Sequence, residues 1–330
     1  MSEPEHAAAD DQRLYEELEG VILGGQRTLT RGEVAERAGV PLERAIQLWR
    51  SLGFTAVDDD ETFFTEADVE ALRSVDWLVE QGFVQEADEL TLVRSMGRTY
   101  ARLTEWEVGE MAAAALAAGP GRQKELEELV VGLIPVVEDV QNYVWRRHLA
   151  SAAGRLLLRP QGEEGRQTVV GFADIVNFTR RSRSMDAEEL GALIESFESS
   201  SASIVAEHGG QVIKTIGDEV MFTVDDPVEA ARVGLALVAA EDDTFPELRV
   251  GLAHGTVLSK LGDVFGPVVN IAARLTKLAK PGRILVDREL SAHLREHAED
   301  QFRLRRARTA SVRGYKRLET WSLTPPRESS

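Results

Sequence analysis

Two carboxylates, each next to an apolar stretch, are the residues of this sequence best suited to metal-dependent chemistry. Asp174 follows the apolar stretch 168–173, and Asp218 lies beside Gly217 in a turn between two short apolar stretches. Taken singly, each has a simpler explanation, because an aspartate commonly caps a turn. If both lie at the same end of neighbouring strands, their oxygens form a pair of hard ligands suited to Mg²⁺ or Mn²⁺. Such a pair can activate a hydroxyl and bind a polyphosphate, as in-line displacement at phosphorus requires.

A third segment supplies residues that can hold a nucleotide. Pro267 stands at a position typical of the first turn of a helix, and Asn270 and Arg274 follow it four residues apart. Residues with this spacing share one helix face and can reach the same ligand. Alternatively, the two polar side chains belong to a solvated helix face.

The elements that must position these residues alternate between strand and helix. Thr168–Ala173 is predicted to be a buried strand, Asp186–Glu207 a long amphipathic helix, and Gln211–Thr215 and Glu219–Thr223 a hairpin. The remaining predicted elements are a helix from Pro227 to about Ala240, strands over Arg249–His254 and Thr256–Lys260, a helix from Pro267 to about Pro281, and strands over Arg283–Val286 and near Tyr315–Ser322. The order βαββαβ predicts an α+β fold of the ferredoxin-like, palm-type kind.

Together the three segments resemble the catalytic domain of class III nucleotidyl cyclases, over about Thr168 to Leu323, in order, residue type and spacing. The resemblance implies two Mg²⁺ or Mn²⁺ ions per site and a role for each matching residue. These roles are metal binding by Asp174, Ile175 and Asp218, base recognition by Lys214 and Asp263, ribose and α-phosphate contacts by Asn270 and Arg274, and binding of the β- and γ-phosphates by backbone amides from Val176 to Thr179, including Phe178 and Thr179.

The base-reading pair favours adenine. Adenine offers a donor at its 6-amino group and an acceptor at N1, which Asp263 and Lys214 complement, whereas guanine reverses both polarities. The implied reaction is attack of the ribose 3′-hydroxyl of ATP on the α-phosphorus, which gives 3′,5′-cyclic AMP and pyrophosphate. Lys214 and Asp218 lie only four residues apart but would meet opposite ends of ATP, so the resemblance implies two sites shared across a homodimer.

One position departs from the family. Members often carry a lysine near the end of the catalytic domain that contacts the triphosphate, and by alignment Tyr315 takes that position. Lys316 and Arg313 remain as candidate substitutes.

The first part of the chain has a different composition. Residues 1–11 are predicted to be a disordered tail, 12–153 a helical regulatory domain, and 154–330 the catalytic domain. Residues 1–150 carry 30 acidic and 14 basic side chains, within a net charge of -18 for the whole chain. Such an acidic half repels a phosphate backbone, so we do not expect DNA to be a partner.

A helix-turn-helix pattern nevertheless lies near the N-terminus. The segment Thr30–Pro41 has a good N-cap and turns at Gly39, and a helix over Leu42–Leu52 follows. With Phe63–Val69 it resembles the DNA-binding module of MerR-type regulators, which makes a nucleotide-sensing DNA-binding regulator the alternative function. The other interpretation is a three-helix packing unit, which the four acids Asp58–Glu61 favour.

The domain order also resembles actinobacterial adenylyl cyclases in which a helical N-terminal domain inhibits the catalytic one. Val136–Leu158 would then be the coupling helix, and an unidentified small molecule or pH would act on the helical domain. The sequence contains no cysteine and no apolar stretch long enough to span a bilayer. We therefore expect a cytoplasmic protein with no membrane partner.

Overall fold

The computed structural model describes residues 18–118, 123–157, 165–240, 245–260, 262–307, 310–312 and 315–326. The backbone divides into two units, Met1–Arg159 and Pro160–Ser330. The second unit is the α+β part that the sequence predicts, and the first is helical. Among the described residues, no helix is both long and apolar enough to cross a membrane.

The first unit contains the predicted helix-turn-helix pair. Among its described residues, the helices that follow residue 30 are α1 (Arg31–Ala38), α2 (Leu42–Leu52), α3 (Glu66–Glu80), α4 (Glu86–Ala118) and α5 (Gln123–Leu157). Thr30 and Glu33 form a reciprocal capping box at the start of α1, and Gly39 ends α1 in the left-handed conformation with φ 76°. Trp49 packs on Phe64 with ring centroids 4.4 Å apart, which centres a small core between α1, α2 and α3.

The long helices α4 and α5 expose several large apolar side chains. Trp106, Tyr143 and Trp145 are more than half exposed, at 64%, 63% and 58%. The predicted coupling segment from Val136 is the C-terminal part of α5, because the helix continues through Pro135 instead of starting after it. Its last predicted residue, Leu158, lies outside the described residues.

The second unit is built on one mixed sheet. Its strands are β1 (Arg166–Ile175), β2 (Gln211–Ile216), β3 (Glu219–Val224), β4 (Leu248–Lys260), β5 (Asp263–Phe265), β6 (Ile284–Val286), β7 (Arg303–Arg306) and β10 (Trp321–Thr324). The order is β2-β3-β1-β4-β6-β10-β7, with β5 paired to β4, and β8 (Ala310–Val312) and β9 (Tyr315–Leu318) form a separate two-stranded sheet. Strand β1 is antiparallel to both of its neighbours, β3 and β4. The helices are α6 (Phe178–Arg181), α7 (Ala187–Glu207), α8 (Pro227–Ala239), α9 (Pro267–Leu278) and α10 (Arg288–His297).

Both faces of the sheet are covered. Val169 and Ala173 of β1 belong to a core that includes Phe197 of α7 and Leu237 of α8. Val170 and Phe172 point to the opposite face, where they share a second core with residues of α9. This alternation follows from the two-residue period of a strand, and burial on both faces explains the continuous apolar run of β1.

Several elements differ from the sequence prediction. The short elements α6, β5, β7 and β8 were not predicted, and the single strand predicted near Tyr315–Ser322 is two strands, β9 and β10. The segments predicted as separate strands, Arg249–His254 and Thr256–Lys260, form the single strand β4, because Gly255 keeps its place in the ladder opposite Thr168. Helix α10 was not predicted, although Asp287 caps it by accepting a hydrogen bond from the backbone N–H of Leu290.

Candidate active site

The ends of β1 and of the β2–β3 hairpin lie together. Asp174 stands opposite Glu219 of β3 and opposite Arg249 of β4. The backbone N–H of Ile175 donates to the carbonyl oxygen of Asp218 at 3.0 Å, which ties the hairpin turn to the end of β1. The structure therefore brings the carboxylates of Asp174 and Asp218 to the same end of neighbouring strands.

The turn that carries Asp218 depends on its glycine. Gly217 has φ 64°, in the left-handed region that side chains other than asparagine and aspartate rarely adopt. No atom lies within 4 Å of the position of a Cβ there, so the requirement is for the backbone conformation and not for space. Gly217 thus closes the hairpin tightly enough to hold Asp218 beside β1.

The carboxylates crowd one another. Burial raises the pKa of Asp174, and the ion pair with Arg249 counteracts this effect. Burial and the neighbouring Asp174 charge raise the pKa of Glu219 to about 7. One carboxylate oxygen of Glu219, Oε1, is buried and has no hydrogen-bond partner among the described residues. The cluster therefore concentrates negative charge that a bound cation would stabilise.

The donor chemistry fits a hard divalent cation. Carboxylate and backbone oxygens at the ends of β1 and the hairpin are the ligands that Mg²⁺ and Mn²⁺ prefer. Within the described ranges, no set of three or more Asp, Glu, His or Cys side chains is arranged to hold a metal. The fit therefore rests on the carboxylates of Asp174 and Asp218, together with the backbone of Ile175, the last residue of β1.

A cavity of about 380 Å³ opens beside this cluster. It is lined by Ile175, Val176, Asn177, Phe178, Thr179, Arg180, Asp218, Arg249 and Pro281. The structure thus places the predicted phosphate-binding residues Phe178 and Thr179 beside Asp218. Asn177 turns the chain with φ 59°, and α6 that follows is only four residues long.

One of the backbone amides predicted to bind the β- and γ-phosphates forms a hydrogen bond within the protein instead. The backbone N–H of Val176 donates to the carbonyl oxygen of Glu247 at 2.9 Å. It is therefore not directed to a ligand, and the prediction that the amides from Val176 onward all bind phosphate was wrong for this residue. The sequence gives no sign of the contact, because Glu247 lies on a distant segment.

The two predicted base-reading residues, Lys214 and Asp263, form an ion pair with each other. The ammonium Nζ of Lys214, on β2, lies 2.5 Å from Oδ2 of Asp263 at the start of β5. The other carboxylate oxygen, Oδ1, accepts a hydrogen bond from the backbone N–H of Val264 at 2.8 Å. Both side chains are partly exposed, at 38% and 29%, so the pair is fixed in orientation and open to a ligand.

Asn270 and Arg274 lie on α9, which packs closely on the sheet. A Cβ at Gly251 of β4 would come within 2.3 Å of the backbone nitrogen of Thr276, so this glycine permits the close approach. The Thr276 hydroxyl donates to the carbonyl oxygen of Ala272 at 3.0 Å. Asn270 is exposed and Arg274 is partly buried. Rigid packing of α9 fixes the direction in which both side chains project.

The predicted site residues fall into separate groups within one chain. Among the described residues that line the cavity beside Asp218, none belongs to the base-reading pair or to α9. The side chains of Lys316 and Arg313, the candidate triphosphate contacts, lie outside the described residues.

Arg249 is a site residue that sequence reasoning missed. It pairs with Asp174 and lines the cavity beside Asp218. In the sequence it is a single basic residue at the start of an apolar strand. Only the register of β1 against β4 reveals its position, because it stands directly opposite Asp174.

Comparison with known proteins identifies the family. Residues 162–325 match the family model described as the adenylate and guanylate cyclase catalytic domain. The chain is 43% identical to an adenylate cyclase of Streptomyces coelicolor, over 88% of this chain and 78% of that protein. It is 37% identical to an adenylate cyclase of Glutamicibacter nicotianae, over 97% of this chain and 85% of that protein. A solved structure of the adenylyl cyclase CyaB from P. aeruginosa aligns with 50% of this chain and 97% of that chain, at 22% identity and a TM-score of 0.43.

The chain therefore belongs to the class III nucleotidyl cyclases, as its motifs predict. Within that family it groups with actinobacterial proteins named adenylate cyclase. It is an enzyme whose catalytic domain binds a nucleotide substrate.

Proposed function

We propose that this enzyme is an adenylyl cyclase that converts ATP to 3′,5′-cyclic AMP and pyrophosphate at a homodimer interface. The observation that carries the proposal is that Asp218 and Arg249 line one cavity beside the end of β1, where Arg249 also pairs with Asp174. This arrangement combines carboxylates for metal ions with a cation for phosphate. The names of the actinobacterial relatives support ATP as the substrate.

The ion pair between Lys214 and Asp263 supports adenine over guanine. Its carboxylate accepts a hydrogen bond from the 6-amino group of adenine, and its ammonium donates to N1. A guanine in the same place would direct its 6-oxo group at the carboxylate, leaving two acceptors facing each other. Because Asp263 is also held by the Val264 amide, it cannot easily turn away.

The metal ions would be held by Asp174, Asp218 and Ile175. When bound, Mg²⁺ or Mn²⁺ would lower the pKa of the 3′-hydroxyl and offset the charge of the triphosphate. The chain contributes the carboxylates, and the Arg249 guanidinium opposes the rise in the pKa of Asp174 that burial causes.

Basic residues would stabilise the negative charge that develops on the phosphate oxygens during the reaction. The 3′-oxygen forms a bond to the α-phosphorus and its proton passes to water. The bond from the α-phosphorus to the bridging oxygen breaks, and that oxygen leaves with the electron pair as part of pyrophosphate. Arg274 would stabilise the charge on the α-phosphate, and Asn270 would orient the ribose. Arg249 would contact the departing phosphates from within the cavity.

Within one chain, the proposed metal-binding carboxylates are separated from the proposed base-reading pair. This separation supports a site shared between two protomers. Asp218 lines the cavity, whereas Lys214 pairs with Asp263 at the start of β5, and neither of these two residues lines that cavity. A two-fold dimer would bring the carboxylates of one protomer against the base-reading pair, Asn270 and Arg274 of its partner. Each dimer would then contain two equivalent sites.

The helical first unit would regulate the catalytic one. Exposed aromatic side chains on α4 and α5, among them Trp106 and Trp145, provide a surface on which such control can act. The regulatory signal, a small molecule or pH, would act on this unit.

DNA binding is not favoured as a second function. Arg44, on the second helix of the helix-turn-helix pair, is held in ion pairs with Asp76 and Glu89 inside the unit. Arg31 is likewise paired with Asp59. These arginines are therefore neutralised by the protein's own acids and are poorly placed to bind phosphates.

Product analysis tests the proposal. The full-length protein incubated with ATP and Mn²⁺ or Mg²⁺ should form 3′,5′-cyclic AMP and pyrophosphate in equal amounts. GTP should give much less cyclic GMP under the same conditions. Equal rates with GTP would contradict the base assignment, and formation of neither cyclic nucleotide would contradict the proposed function.

A further inference from the structure

A run of arginines follows the strand that carries Asp174. Arg180, Arg181 and Arg183 lie in a segment that contains no acidic residue from Ile175 to Met185. The proposed function does not use them. The run begins shortly after Asn177, which lines the cavity in which the triphosphate of ATP would lie.

Arg180 differs from the other two in lining this cavity. It does so together with Asp218 and Arg249. Its backbone is held in place because its N–H donates to the carbonyl oxygen of Asn177 at 3.0 Å. The left-handed turn at Asn177 therefore directs the chain so that Arg180 returns to the cavity wall.

The guanidinium of Arg180 is available for an anion. The side chain is exposed, and within the described part of the chain it makes no ion pair. Arg249 in the same cavity is, in contrast, paired with Asp174. Of the two cavity arginines, Arg180 is thus the one whose charge the protein's own carboxylates do not offset.

A cation beside Asp218 would offset part of the negative charge of the triphosphate. The sequence has Tyr315 where the family resemblance predicts a lysine for this contact, so an uncharged residue stands at that position. An arginine fork can bind two phosphate oxygens at once, which gives stronger and more directional binding than a single ammonium. Arg180 has the charge and the place for this contact.

We infer that Arg180 binds the β- and γ-phosphates of ATP and supplies the cation that Tyr315 does not. This role rests on the proposed function in taking ATP as the ligand. It predicts that Arg180 contributes to polyphosphate binding whether or not turnover occurs.

The test compares Arg180→Gln and Arg180→Lys with the matched control Arg183→Gln, in the full-length protein. Arg183 belongs to the same run, is exposed and is not among the residues lining the cavity. Binding of inorganic tripolyphosphate in the presence of Mn²⁺ is measured by calorimetry, and the KM for ATP is measured by cyclic AMP formation. Inhibition by adenosine reports on the base-reading end alone.

Arg180→Gln should weaken tripolyphosphate binding and raise the KM for ATP, each by about tenfold or more, as expected for loss of a charge-assisted contact. Arg180→Lys should recover part of the loss, and adenosine inhibition should not change. Unchanged tripolyphosphate binding in Arg180→Gln, or an equal loss in Arg183→Gln, would overturn the inference. If the wild-type protein forms no cyclic AMP yet binds tripolyphosphate through Arg180, the phosphate contact stands and the proposed function fails.

Discussion

Opposing influences act on the pKa of Asp174, and their net effect is to raise it. Burial and the nearby Asp218 charge disfavour its carboxylate, and the Arg249 guanidinium favours it. Carboxylates with shifted pKa values are common at functional sites, and a bound cation would neutralise their remaining negative charge. The same crowding raises the pKa of Glu219 on the adjoining strand.

Replacing either carboxylate tests this arrangement. Asp174→Asn or Asp218→Asn should reduce cyclic AMP formation to below about a tenth of the wild-type rate, because each removes a charged ligand of the proposed metal ions. Melting temperatures followed by circular dichroism should change little. The control is Asp225→Asn at the far end of β3, where the exposed carboxylate pairs with Arg166. Activity near the wild-type value in Asp174→Asn or Asp218→Asn would rule out the two-carboxylate metal site.

The proposed base-reading pair, Lys214 and Asp263, can be tested by a change of substrate preference. Lys214→Glu combined with Asp263→Ser should lower kcat/KM for ATP by about a hundredfold, because the polar groups that complement adenine are lost. It should also allow measurable formation of cyclic GMP, since the new carboxylate accepts from the guanine N1–H. Lys280→Glu, an exposed charge reversal just after α9, is the control and should retain the preference for ATP. Full ATP turnover in the double variant would show that the pair does not read the base.

For individual site residues, the sequence was sufficient where residue type and spacing identify them. It was not sufficient for residues whose position depends on pairing between strands. Asp174 and Asp218 stand beside local signals, a strand end and a glycine turn. Arg249 and Glu219 acquire their positions from the registers of β4 and β3 against β1, which a single sequence does not display. The engagement of the Val176 amide by Glu247 is hidden for the same reason.

Among the elements, those with strong local signals were predicted well. The α7 helix begins at a capping box between Asp186 and Glu189, and its predicted range agrees with the structure to within one residue. Strand β4 was divided wrongly, because Gly255 resembles a break when only the local sequence is considered. Tertiary pairing with Thr168 overrides that local signal.

Helix α10 gives a prediction on pH. Its N-cap, Asp287, is 2% exposed, and burial raises its pKa to about 7. The hydrogen bonds from the Leu290 and His254 backbone N–H groups favour the charged form, and the Glu289 charge opposes it. A carboxyl group whose pKa is raised by folding stabilises the native state below its unfolded pKa, and this contribution is lost as pH rises through the folded pKa.

Asp287→Asn should therefore flatten the dependence of stability on pH between about 4 and 8. Asparagine keeps the helix cap but carries no charge. Between pH 5 and pH 8 the wild type should lose on the order of a few kcal/mol in free energy of unfolding through Asp287, from the size of the pKa shift. The variant should not lose this contribution. Chemical denaturation at both pH values measures the difference. Equal slopes for the two proteins would mean that Asp287 does not titrate in this range.

The whole molecule combines a catalytic unit with a helical one. The catalytic unit has its own core on both faces of the sheet, with Phe197 and Leu290 on one side and Phe172 and Leu275 on the other. It is therefore expected to fold without the helices that precede it. This independence makes control by the first unit testable.

Truncation tests the proposed regulation. A protein spanning Arg155–Ser330 should differ severalfold in specific activity from the full chain, because the restraint of the first unit is removed. Its circular dichroism spectrum should show the mixed sheet intact. The control is full-length protein cut at an engineered protease site near residue 155 and assayed before and after cleavage. An unchanged rate and pH profile after truncation would contradict a regulatory role.

Mixing inactive chains tests the shared site. Each site of the proposed dimer takes Asp174 and Asp218 from one protomer and Asn270 from its partner, so Asp174→Ala and Asn270→Ala chains should each be nearly inactive alone. After co-refolding at equal concentrations, one site of every mixed dimer contains both intact sets. Random pairing makes half of the dimers mixed, so about a quarter of wild-type activity should return.

The matched control is a mixture of Asp174→Ala and Asp218→Ala chains. Here both changes lie in the set that a single protomer contributes, so each site of a mixed dimer still lacks one carboxylate and activity should not return. Native mass spectrometry confirms that mixed dimers form in both experiments. Only an arrangement divided between protomers restores activity in the first mixture and not in the second. If activity returns in both mixtures, or in neither although mixed dimers form, the two sets of residues are not divided between protomers.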